Sequence, residues 1–198
     1  LTILKRYLLP DTLATDRKFD AVLQGIGLGV AGLFDSVCNR KLDYLEGAEA
    51  VFTGDREHFT LPRYPVVSVT SVEAIGVAGD LPYTINEGSG LIRFFGTIGS
   101  ERSQVRVVWT GGYWFEALEP DDEGYPSARP AGATELPNDL QAAFLLQCEQ
   151  VWQTHDRLGT GLVGDGAGSA FLNTRLSTLE LVPLVVTMLN GYRRYQLS

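Results

Sequence analysis

Apolar and polar positions recur with a helical period at the two ends of the chain and alternate through its middle. Residues 2–9 predict a short helix that Pro10 stops. Thr15 or Asp16 can cap a second helix over 15–39, where Phe19, Val22, Leu23, Ile26, Val30, Leu33, Phe34 and Val37 recur at three and four residues, as one buried face requires. Gly25, Gly29 and Gly32 each weaken that helix by about 1 kcal/mol relative to Ala. They also permit close approach of another backbone, either inside the domain, the favoured reading, or from a neighbouring subunit.

From residue 48 the period becomes two. Stretches 48–53 and 57–61 flank Gly54-Asp55, a predicted hairpin turn. Pro62 and Pro65 interrupt the run, and 66–72 follows as a β-branched strand. A second hairpin is predicted from 82–86 and 90–95 around Glu87-Gly88-Ser89. Val105, Val107 and Trp109 alternate with Gln104, Arg106 and Val108 up to Gly111-Gly112. Short strands with close turns imply an antiparallel sheet over 48–112, because parallel crossovers need longer links.

Residues 113–135 hold Pro120, Pro126 and Pro130 with six carboxylates, and predict an exposed acidic loop. Helix returns over 137–158. Pro137 stands near its first position, Asp139 in its first turn, and Leu140, Phe144, Cys148, Val151, Trp152 and His155 lie along one stripe. A glycine-rich linker, 159–170, leads to an apolar segment, 171–198. The expected organisation is therefore a domain over 1–158, a linker, and a terminal segment that reaches a neighbour. The expected fold class is α+β: a small helical bundle with an inserted antiparallel β-sheet and a flexible C-terminal docking segment.

Composition narrows the function classes. The 198 residues are 44% hydrophobic and 20% charged, enough for a real core without disulfides or metals. A net charge of −8 and a pI near 4.7 argue against a protein that grips phosphate backbones, although not against one that surrounds DNA and lets it slide. Cys38 and Cys148, each in an apolar helical stretch, are expected as reduced core thiols. No secretory signal pattern opens the sequence, and its most apolar window, 25–34, is short and glycine-rich for a bilayer span. A cytoplasmic setting is the expectation, with no membrane partner.

Catalytic constellations are thin. His58 and His155 have no Cys or His at ligand spacing, and no metal or cofactor is expected. Gly159-Thr160-Gly161-Leu162-Val163-Gly164 spells GxGxxG, yet it follows a helix rather than a strand. Asp121-Asp122-Glu123 offers carboxylates but no EF-hand pattern. Trp109, Tyr113, Trp114 and Phe115 cluster at a strand end with only Arg106 near them, which favours packing over base stacking.

Three segments, in order, resemble the head–tail connector (adaptor) family of tailed bacteriophages. The first is Leu61-Pro62-Arg63-Tyr64-Pro65-Val66-Val67-Ser68-Val69, after an N-terminal helical region. The second is Val105-Arg106-Val107-Val108-Trp109-Thr110-Gly111-Gly112-Tyr113, followed after an insertion by Leu136-Pro137-Asn138-Asp139-Leu140-Gln141-Ala142-Ala143. The third is Val182-Pro183-Leu184-Val185-Val186-Thr187-Met188-Leu189-Asn190-Gly191-Tyr192-Arg193-Arg194, with Gly191 where the family commonly has proline. The resemblance implies a non-enzymatic ring, usually of twelve subunits, in the neck of a virion assembled in the host cytoplasm. It implies contacts with its own copies, the portal protein and the next neck or tail-completion protein, while DNA passes through without specific binding. Leu184, Met188, Leu189, Tyr192, Arg193 and Arg194 are the expected partner-binding residues. The alternative for the last three is that they only finish a helix with favourable C-terminal charge. Rival functions are a DNA-contacting module of a phage particle and a metal-dependent enzyme using residues 121–123.

Overall fold

The computed structural model describes residues 2–10, 13, 17–53, 58–76, 81–95, 104–116, 123, 125–157 and 181–194. The protein is α+β and divides into two compact units. One holds 1–39, 118–126 and 137–194; the other holds 40–117, 127–136 and 195–198. Linker 159–170, including the GxGxxG stretch, lies outside the described residues, as do Asp121, Asp122 and the Gly54-Asp55 turn.

Among the described residues, the first unit packs four α-helices: α1 (Thr2–Leu8), α2 (Asp20–Cys38), α3 (Asn138–Arg157) and α4 (Pro183–Asn190). Helix α2 buries Leu23, Ile26, Val30, Phe34 and Cys38, spaced three or four residues apart, so the face foreseen from periodicity is the buried one. Its α-helical turns begin later than residue 15. A 3₁₀ turn, Arg17–Phe19, precedes it, and Phe19 occupies the N-cap without a side-chain hydrogen bond. Packing substitutes for capping there: the Phe19 ring meets Trp152 edge-on at 5.9 Å, and Lys5 pairs with Asp20 in the first turn. Phe34 meets Phe144 the same way at 6.2 Å.

The glycines of α2 face different ways. A Cβ on Gly27 would press on Leu4 at 3.2 Å, whereas Gly32 has open space around it. With its 3₁₀ turn, the 22-residue stretch Arg17–Cys38 is long and apolar enough to cross a bilayer by length and composition, more than the ten-residue window implied. Its inward positions are spent on helix packing, while Leu28 projects outward, 69% exposed. Asn39 ends the helix in the left-handed region (φ 51°), its N–H returning to the Asp35 and Ser36 carbonyls.

Among the described residues, the second unit contains two three-stranded antiparallel sheets and a short parallel pair. Strands β1 (Leu45–Thr53), β6 (Gln104–Gly111) and β3 (Val66–Ala74) form the first, in that order. Strands β2 (His58–Thr60), β5 (Leu91–Phe94) and β4 (Tyr83–Asn86) form the second. The β4–β5 hairpin matches its sequence signal. The expected β1–β2 hairpin does not form: β1 pairs with β6 and β2 with β5, so the two flanks of Gly54-Asp55 enter different sheets. Val105, Val107 and Trp109 on central β6 are at most 1% exposed and join Leu61, Tyr64, Val72, Ile92 and Phe94 in one core. Burying each such side chain stabilises the unit by about 1.5–3 kcal/mol.

The segment 113–135 is not wholly an exposed loop. Its ends form β7 (Tyr113–Trp114) and β8 (Thr134–Glu135), paired in parallel. Tyr113 and Ala133 are buried, and Glu116 accepts bonds from the Ser127 N–H and hydroxyl at 2.6 and 2.7 Å. Parallel pairing of two residues needs no crossover helix, because the intervening chain is long enough to return.

Candidate partner interface

Helix α4 starts on Pro183, whose fixed φ suits a first helical position, with Val182 as N-cap. The N–H of Val182 is met by Oε1 of fully buried Gln147 on α3 at 3.0 Å. Val185 and Leu189 point inward and are fully buried, packed where α4 meets α2 and α3. The Cys38 thiol donates to the Leu189 carbonyl at 3.9 Å. Residues 181–194, the described part of the terminal segment, are therefore docked on their own helical unit in this structure.

Four of the six expected partner residues hold that docking, one of them while exposed. Leu189 is covered completely by its own chain. The Tyr192 hydroxyl donates to Asp139 Oδ1 at 2.6 Å, which ties the end of α4 to the first turn of α3. The Arg194 N–H donates to the Cys38 carbonyl at 2.8 Å. Arg193 does both jobs: it is exposed, yet its Nε donates to the Val37 carbonyl at 3.2 Å. Val37 and Cys38 are the last residues of α2, whose carbonyls have no intrahelical partner. The Arg193 guanidinium therefore meets the C-terminus of α2 rather than that of α4. Leu184 (53% exposed), half-buried Met188 and Arg193 remain on the outer side.

The two strand motifs converge in the other unit. Strand β6 ends at Gly111, and Gly112 (φ 103°) then turns the chain so tightly that a Cβ would collide with the Asp43 carbonyl. The Gly112 N–H reaches the Pro65 carbonyl, the Tyr113 N–H reaches Leu42 O, and the Lys41 N–H reaches Pro62 O. Trp109 Nε1 donates to the Arg63 carbonyl at 2.9 Å, and Arg63 pairs with Asp43. The Tyr64–Pro65 peptide is cis. Tyr64 packs where Gly90 (φ 68°) leaves no room for a side chain. Arg40 stacks on the Tyr64 ring, its guanidinium carbon 3.3 Å from the centroid. Sequence reasoning singled out Tyr64 and Tyr113 as motif residues but not Arg40 or Asp43, which carry no local pattern and matter only once the two motifs meet.

Chemistry beyond contact is sparse among the described residues. No group of three or more His, Cys, Asp or Glu side chains there could hold a metal ion. Cys38 and Cys148 are buried thiols that form no disulfide, and burial pushes the Cys148 thiol up to about 12. His58 is exposed on β2, and His155 lies on α3.

No protein-family model and no curated protein matches the chain. Among solved structures, the chain is similar to one from the neck of an empty GTA (gene transfer agent) particle computed with C6 symmetry. That likeness has a TM-score of 0.57 and 18% identity over 99% of this chain and 89% of the other. At that identity the shared property is the fold.

Proposed function

We propose that this protein is a structural head–tail connector of a phage or phage-like particle, acting without catalysis. The observation that carries the reading is the fold likeness to a neck protein across nearly all of both chains. The connector-like motifs agree with it independently, since they were identified from sequence order alone. In this reading several copies form a ring beneath a portal protein and around the DNA channel, in the neck of the particle. A ring of twelve obeys sixfold symmetry, which suits the C6 description of the similar neck. The net charge of −8 suits a ring that surrounds DNA without holding it.

The partner face is the outer side of α4 and its tail: Leu184, Met188 and Arg193 make the contact, while Leu189, Tyr192 and Arg194 hold the helix in place for it. Electron microscopy of the protein mixed with its portal should show a ring or a capped portal. Free portals and free monomers at micromolar concentrations would reject the connector role. A DNA-contacting module would instead show duplex affinity that falls steeply with salt.

A further inference from the structure

Arg40 is only 5% exposed, and its guanidinium carbon lies 3.3 Å from the centroid of the Tyr64 ring and 5.4 Å from that of Tyr113. Those ring contacts do not account for the edge of the group. Nε and Nη2 are both buried, and neither has a hydrogen-bond partner among the described residues. Leaving N–H groups of a buried cation unpaired is expensive, so an arginine in such a place ordinarily meets an acid or carbonyls. The nearby carboxylate is committed elsewhere, because Asp43 pairs with Arg63.

Nε and Nη2 share one edge of the guanidinium, and together they form the fork that grips a carboxylate through two parallel N–H···O bonds. We propose that this edge of Arg40 is a binding site for a carboxylate group. A small, flat carboxylate suits a planar fork whose guanidinium already stacks on the Tyr64 ring. A tetrahedral phosphate is bulkier and fits a covered edge less well. Since both nitrogens are covered, entry requires a local shift of whatever lies over that edge. The site would therefore respond slowly and selectively rather than as an open surface charge. It stands independently of any role in a particle.

The test uses the full chain and acetate as the probe, against chloride at matched ionic strength. Titration followed by the side-chain Nε–H resonance of Arg40, assigned by through-bond correlation, should show a saturable shift with acetate. The thermal midpoint should rise by about 2–4 °C at saturation. Arg40→Lys, which keeps the charge and loses the fork, should abolish that rise. An equal rise in Arg40→Lys, or no saturable shift in the wild type, would overturn the proposal. If Arg40→Lys does not fold, the wild-type titration decides alone. A stronger response to inorganic phosphate than to acetate would also overturn it, in favour of a phosphate ligand.

Discussion

Gly112 is the position where one atom matters most. Its φ of 103° is unfavourable for any other residue, and a Cβ would strike the Asp43 backbone, which has β-bridge neighbours and cannot yield cheaply. Gly112→Ala should lower stability by about 3 kcal/mol, read as a shift in the urea midpoint by Trp109 fluorescence. A loss below about 0.5 kcal/mol would mean the bridge between residues 43 and 113 is dispensable. Cys148 is the opposite case, a reactive type made inert: fully buried, with its thiol held near 12, it forms almost no thiolate at pH 8. Alkylation by iodoacetamide at that pH should leave it unmodified in the native protein and label it after denaturation. The thiols were legible from sequence as core residues because they sat on apolar helical faces. The positive φ of Gly112 was not, since the sequence marks only a strand end, and the need for glycine arises from a carbonyl seventy residues away in the chain.

Elements with a strong local period were readable: α2 by its spacing of three and four, β6 by its alternation, and the β4–β5 hairpin by its turn. What failed was pairing. The Gly54-Asp55 signal suggested that its flanks pair with each other, but β1 gains an eight-residue partner in β6, which outweighs a local turn preference. The α-helical turns of α2 start at Asp20, after a 3₁₀ turn that an aromatic contact with Trp152 supports, and the expected caps Thr15 and Asp16 lie outside the described residues. Helix α4 is the element on which function was expected, and its eight residues could not stay helical alone. It depends on Leu189 and Val185 for burial and on Tyr192 for its far end. Leu189→Ala should therefore cost about 2–5 kcal/mol and Tyr192→Phe about 1 kcal/mol. Hydrogen exchange should localise the Tyr192→Phe effect to amides of α4, with α2 and α3 protected as before. Uniform loss of protection would show that α4 is part of a single cooperative unit rather than a docked piece.

For the whole molecule, the six terminal residues foreseen as contacts divide by what they touch, and that division makes the assembly role testable apart from folding. Leu184 is exposed, so Leu184→Asp removes apolar contact area and adds a charge without opening a cavity in the monomer. Its effect on the thermal midpoint should be within about 2 °C, since exposed substitutions stay near ±0.5 kcal/mol. Burying the new carboxylate at an interface would be costly, so association with the portal should weaken at least about tenfold, measured by sedimentation at fixed protein concentration. Arg193→Ala would also weaken association but at some cost to the monomer, about 0.5–1 kcal/mol, because it releases the Val37 carbonyl at the end of α2. The pair of results is diagnostic. If both variants assemble like wild type, the outer side of α4 is not the partner face, and the docked terminal segment serves only to complete the helical unit.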